Sequence, residues 1–145
     1  MIKRTLAVVG LCLFGAAAAV SAQDFGADRE STMKKIGGSL GALSAIAKGE
    51  KPYDAEVVKT SLTTVSESIK VFPTYFPEGS EQASEEASPK IWENKADFEA
   101  RAAKLGADAD ALLAELPADQ AAVGVALGTL GKNCAACHEN YRLKK

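Results

Sequence analysis

Residues 131–142 read GKNCAACHENYR and contain two of the chain's three cysteines together with its only histidine. The segment CAACH at 134–138 has the C-x-x-C-H spacing that is typical of covalent haem attachment. Positions i and i+3 share one face of a helix, so the thiols of Cys134 and Cys137 can reach the two vinyl groups along one edge of a porphyrin. The next residue, His138, then projects its imidazole towards the iron as an axial ligand. We therefore predict one covalently bound haem c at this segment.

Three other interpretations of the two cysteines are weaker. A structural disulfide suits an exported chain, but it leaves the adjacent histidine unexplained. A thioredoxin-like redox pair needs a βαβ setting, which the helical pattern of this chain lacks. A zinc site takes four ligands, commonly from a second Cys or His pair, and the chain has no other histidine. Haem attachment is the interpretation that uses all three residues.

The rest of the chain shows apolar residues at alternating steps of three and four, which is the period of amphipathic helices. The predicted helices cover about residues 24–47, 54–72, 89–116 and 117–141. Gly49 is expected to mark the end of the first helix and Asp54 to be the N-cap of the second. The apolar stripe of the second helix runs from Val58 to Phe72.

Only Lys95 interrupts the apolar stripe of the third helix, and Pro117 is expected to open the fourth. Residues 73–88, rich in Pro, Gly, Ser and Glu, predict a long loop. Short links favour antiparallel neighbours, so the sequence predicts an all-α, up-down-up-down four-helix bundle that encloses the haem.

The first 22 residues have the pattern of a processing signal. Lys3 and Arg4 precede an apolar stretch over residues 5–19, which is shorter than the roughly 20 residues needed to span a bilayer. Small residues at 20–22 suit cleavage, and the bulky Leu11 before Cys12 disfavours a lipoprotein. We expect residues 1–22 to be a cleaved signal peptide. Residues 23–145 are then one periplasmic four-helix-bundle domain, with no membrane insertion after cleavage.

The charge of the chain argues against a nucleic-acid-binding protein, and its residue types argue against an enzyme. Without Lys3 and Arg4, the 17 basic residues become 15 against 19 acidic ones, so the formal charge of residues 23–145 is −4. This balance lacks the basic footprint of a protein that binds nucleic acid. No pairing of a nucleophile with a base is apparent, and the histidine is assigned to the haem. We therefore expect a protein that is not an enzyme.

The sixth position of the iron has one candidate ligand, because Met33 is the only methionine after residue 22. In the predicted topology, the first helix begins and the fourth helix ends at the same end of the bundle. Met33 lies about nine residues into the first helix and His138 about seven residues before the C-terminus, so their depths agree within a turn or two. Methionine is also common as ordinary core packing. Its uniqueness, its place on the apolar stripe and its depth favour ligation.

The chain from residue 23 to 145 resembles the cytochrome c' (c-prime) family, the class II c-type cytochromes. These are four-helix bundles with the haem motif near the C-terminus, and residues 131–142 are similar to the family's end. The segment RESTM at 29–33 resembles its distal segment, in which an arginine precedes the residue over the iron by four positions. Gas-binding members usually have an apolar residue there. The methionine, together with LSAIAKGEKPYD at 43–54 and PKIW at 89–92, resembles the low-spin branch called cytochrome c-556.

This resemblance implies a periplasmic one-electron carrier that exchanges electrons with unidentified redox partner proteins. It makes Arg29 and Arg142 candidates for contacts with a propionate or the edge of the haem, with Arg29 near a propionate and Arg142 on the proximal side. The rival function is a five-coordinate cytochrome that binds NO or CO, with Met33 as distal packing. A haem peroxidase is a weaker alternative, since the distal acid and base groups are missing. Related bundles occur as monomers and as dimers, which leaves a homodimer open.

Overall fold

Four long helices carry the fold in the computed structural model, which describes residues 24–144. The helices are α1 (Phe25–Ala47), α2 (Ala55–Val71), the single turn α3 (Lys90–Glu93), α4 (Lys95–Ala114) and α5 (Gln120–Tyr141). Helix α1 packs on α2, α2 on α4, α4 on α5, and α5 back on α1. The predicted all-α bundle is therefore confirmed. The predicted signal peptide lies outside the described residues.

Aspartate side chains determine where three of the long helices begin. Asp24, Asp54 and Asp119 each accept a hydrogen bond from a backbone amide of the first turn, at 3.0, 2.9 and 2.8 Å. Such a bond satisfies a donor that has no partner within the helix. Gly49 ends α1 as predicted, because its φ of 73° is a left-handed conformation that glycine adopts without strain.

Two predicted boundaries are wrong. Pro117 does not open the fourth helix: its carbonyl accepts a hydrogen bond from the Tyr53 hydroxyl at 2.8 Å, and α5 begins after the cap at Asp119. The third helix is interrupted at Asn94, whose φ of −134° and ψ of 53° are not helical. The preceding turn instead packs on the loop, where Trp92 Nε1 donates to the carbonyl of Pro77 at 3.0 Å. Proline and loop contacts override the helical period at these positions.

The core is continuous along the bundle and becomes aromatic at one end. The predicted stripe of α2, from Val58 to Phe72, is buried throughout. The rings of Phe72 and Phe98 both lie edge-on to the ring of Phe76, and they are tilted relative to each other. Phe98 also lies edge-on to Tyr141, with ring centroids 5.4 Å apart. Tyr141 closes α5, so the aromatic end of the core lies beneath the segment that carries the cysteines.

The loop over residues 73–88 closes the same end of the bundle. One 3-10 turn, Phe72–Tyr75, leads from α2 into the loop, and a second, Glu81–Ala83, lies within it. It also pairs with the end of α5: Ser88 donates its amide to the carbonyl of Tyr141 at 3.1 Å, and Leu143 donates to the carbonyl of Glu86 at 2.9 Å. The loop therefore holds the chain immediately after the predicted haem motif. Among residues 24–144, no helix is long and apolar enough to cross a membrane.

Candidate haem site

The two thiols lie together on the inner side of α5. Cys134 and Cys137 are free and half-buried, and both pack against the hydrophobic core. Burial raises the pKa of each thiol above its ordinary value, so both are protonated at neutral pH. Reactive cysteines of redox enzymes show the opposite shift. The pair is thus arranged as two neutral thiols on one helix face, which suits attachment to one flat group.

His138 follows the second thiol and stays accessible at the edge of the bundle. Partial removal of water around its ring lowers its pKa, the charge of Arg142 lowers it further, and Glu86 opposes the shift. A neutral imidazole is the form that ligates iron. Arg142 itself pairs with Glu86, at 3.0 Å from Nη2 to Oε2. Within residues 24–144, no group of three or more His, Cys, Asp or Glu side chains is placed to hold a metal ion.

The register of α1 against α5 places Met33 level with the cysteines. The helices are antiparallel, and Ala47 at the end of α1 meets the start of α5 twice. Its carbonyl accepts from Gln120 Nε2 at 3.3 Å, and its Cβ lies 3.9 Å from the point where a Cβ on Gly124 would stand. Met33 precedes Ala47 by fourteen residues, and fourteen residues beyond Gln120 and Gly124 are positions 134 and 138. Met33 is half-buried and packs against the core.

Arg29 lies deep inside the same end, one turn before Met33. It is 4 % exposed. Its Nε donates to the carbonyl of Tyr75 at 2.9 Å, and its Nη2 donates to the carbonyl and hydroxyl of Ser80 at 3.0 and 2.6 Å. Its guanidinium carbon stands 4.2 Å from the centroid of the Phe76 ring. Burial lowers the pKa of Arg29, although Glu81 opposes this.

One nitrogen of Arg29, Nη1, is buried without a hydrogen-bond partner. A buried donor left unpaired costs about 1–3 kcal/mol, and an anionic oxygen would remove that cost. Haem carries two propionate carboxylates, so this nitrogen fits the expected propionate contact. Two thiols, one imidazole, one thioether and one unpaired guanidinium nitrogen therefore make a donor set that suits haem c.

Sequence reasoning missed the polar residues of α4 that contact the motif helix. Arg101 Nη1 donates to the carbonyl of Ala136 at 3.0 Å. Asp108 Oδ2 accepts from Asn133 Nδ2 at 2.6 Å. These contacts lie on either side of Cys134. The sequence shows that charged residues recur at 97, 101, 104 and 108, which is helical spacing beside the apolar stripe. That spacing places them on one face of α4, but it does not show which helix they contact.

Residues 24–142 match the family described as Cytochrome C'. The chain belongs to the cytochrome c' family. Cytochrome c-556 of Agrobacterium tumefaciens (strain II Chrys) is 63% identical over 117 residues, covering 81% of this chain and 95% of that protein. Cytochrome c-556 of Agrobacterium fabrum is 54% identical over 147 aligned positions and covers 100% of both. The structure of cytochrome c' from Rhodopseudomonas palustris aligns with a TM-score of 0.80 at 35% identity, covering 86% of this chain and 99% of that one.

Membership of the cytochrome c' family confirms the predicted cofactor, a covalently attached haem c with iron. It also confirms the predicted class, a haem protein of electron transport built as a four-helix bundle. The individual attachment and ligand residues, the cellular compartment and the partners stay predictions.

Proposed function

We propose that this cytochrome is a periplasmic one-electron carrier, and not an enzyme, whose haem is attached through Cys134 and Cys137 and ligated by His138 and Met33. The register of α1 and α5 is the observation that carries the proposal, because it sets Met33 level with residues 134–138. Bound iron supplies reversible one-electron chemistry between Fe(III) and Fe(II). A reduced partner protein gives the electron and an oxidised partner protein takes it.

The side chains contribute ligation, anchoring and burial. A thioether ligand favours the ferrous state and raises the potential. The unpaired Nη1 of Arg29 receives a propionate carboxylate and thereby anchors the haem to α1. Arg142, through its pair with Glu86, keeps the end of α5 in place beside His138. Its contact with the haem edge stays a prediction. Export by residues 1–22 agrees with the compartment in which c-type haem is attached.

A second function is favoured by one observation. Met33 packs against the core, as a residue with only a packing role would do. In that case the iron is five-coordinate and the protein binds NO or CO.

Replacement of Met33 separates the two functions. We expect the ferric wild type to be low-spin with a sulfur-to-iron charge-transfer band. The reduced, ferrous wild type should bind CO slowly or weakly, because CO has to displace the sulfur. Met33→Ala should become high-spin, bind CO readily and lose potential. Truncation of a methionine costs about 2–5 kcal/mol when it is fully buried, so circular dichroism accompanies the spectra.

Leu40→Ala is the matched control, because Leu40 is also half-buried and packed against the core from α1. It should lose stability but keep the low-spin spectrum. If wild type and Met33→Ala share one high-spin spectrum and equal CO affinity, ligation by Met33 is wrong and gas binding becomes the better function.

A further inference from the structure

Arg101 joins α4 to the backbone between the two cysteines. Its Nη1 donates to the carbonyl of Ala136 at 3.0 Å, and Ala136 lies directly before Cys137. Asn140 Nδ2 donates to the same carbonyl at 3.1 Å. A full positive charge is therefore fixed against the attachment segment, on the side of α5 that faces α4.

Asp97 holds that guanidinium in place. Its Oδ2 accepts from Arg101 Nε at 2.6 Å and from the Tyr141 hydroxyl at 2.6 Å. Tyr141 is 6 % exposed and its ring lies edge-on to Phe98, so the hydroxyl is fixed by the core. The hydrogen bonds from Arg101 and Tyr141 lower the pKa of Asp97, and the bond to Asp97 raises the pKa of Arg101. Both groups are charged at neutral pH.

We propose that the positive charge of Arg101 and the negative charge of Asp97 set the reduction potential of the haem. The proposal rests on the proposed electron-carrier function. Reduction adds one electron from a reduced partner protein to ferric iron and gives ferrous iron, with no bond formed or broken. A nearby positive charge favours the reduced state and a nearby negative charge favours the oxidised state, because the iron centre gains one negative charge.

The two charges are in contact, so they partly cancel in the wild type. Arg101 also reaches the carbonyl before Cys137, and Asp97 also reaches Tyr141 at the end of α5. Each side chain therefore has a second contact with α5, and removal of one charge leaves the other uncompensated beside the attachment segment. The side chains are 33 % and 40 % exposed, so water screens part of each charge and the expected shifts are modest.

The test compares Arg101→Gln, Asp97→Asn and the double variant with wild type, each as mature holoprotein with covalently attached haem. Midpoint potentials are measured by spectroelectrochemistry, and each ferric spectrum is recorded. We expect Arg101→Gln to lower the potential, Asp97→Asn to raise it, and the double variant to lie between them. Lys51→Gln removes one charge at the opposite end of the bundle and should leave the potential unchanged.

If Arg101 and Asp97 only stabilised the fold, the potentials of the two single variants would change in a different pattern. Loosening of α5 would let water reach the haem in both single variants, so both potentials would move in the same direction. That result, or no shift in either variant, overturns the proposal. If Arg101→Gln does not mature, Arg101→Lys keeps the charge, and the proposal then requires a potential near wild type for it and a raised potential for Asp97→Asn. A wild type without covalent low-spin haem would instead refute the proposed function.

Discussion

Replacement of Arg29 by methionine tests how the haem end of the bundle is held. Methionine keeps an unbranched apolar chain against the Phe76 ring but removes three hydrogen bonds, to Tyr75 and twice to Ser80. A hydrogen bond that involves a charged group contributes about 1.5–3 kcal/mol. The variant also no longer has to bury a charged guanidinium, and the burial of that group costs several kcal/mol in the wild type. We therefore expect a net loss of about 2–4 kcal/mol in the free energy of unfolding.

Urea unfolding of the holoprotein, followed by circular dichroism, measures this loss. A double-mutant cycle with Ser80→Ala sharpens it, because Ser80 Oγ accepts the shortest of the three bonds. The double variant should lose less stability than the sum of the two single variants, by about 1 kcal/mol or more. If Arg29→Met is as stable as wild type, the loop does not depend on this arginine, and the explanation is wrong. If the two effects simply add, the bond between Arg29 and the Ser80 hydroxyl contributes nothing, and its assigned share of the loss is wrong.

Two further predictions concern packing and acid stability. Gly26→Ala should lose about 1–3 kcal/mol of stability, because a Cβ there would collide with the carbonyl oxygen of Ala83. Gly38→Ala is the control: its Cβ would meet nothing, so it should be neutral or gain up to about 1 kcal/mol. Equal thermal midpoints for the two variants would contradict this prediction. The hydrogen bonds from Arg101 and Tyr141 lower the pKa of Asp97 in the folded protein below its ordinary value of 3.8. The ionised carboxylate therefore stabilises the fold above pH 3.8, and this contribution is lost as the pH falls from 3.8 through the pKa of the folded protein. Acid titration of Asp97→Asn should therefore show a weaker pH dependence in that range than wild type, and identical profiles would contradict the assignment.

Helical period and capping residues are sufficient to predict the bundle. The α2 stripe is buried from Val58 to Phe72, and Asp54 caps that helix as expected. Both features depend on neighbours along the chain, which a single sequence shows directly. The C-x-x-C-H spacing likewise identifies the thiols and the histidine as one group, because these residues are neighbours in the sequence.

Contacts between distant segments cannot be predicted in this way. In the sequence Lys95 is only an interruption of an apolar stripe, yet its Nζ donates to the carbonyl of Phe76 at 2.7 Å and so holds the loop. The family resemblance places Arg29 near a propionate, but it does not predict the three bonds of this arginine to the loop. The contact of Arg101 with Ala136 spans 35 residues of sequence. Such pairs depend on how helices are placed side by side, and no local spacing encodes that.

Haem staining after denaturing electrophoresis tests the central claim most directly. The full-length chain is expressed with the bacterial apparatus that attaches c-type haem, and the wild type is compared with a Cys134→Ser, Cys137→Ser double variant. We expect haem to stay on the denatured wild-type chain, because two thioether bonds hold it, and the double variant to keep none. Haem that extracts from the wild type into acid acetone, or that stays on the double variant, would contradict the assignment of these two cysteines.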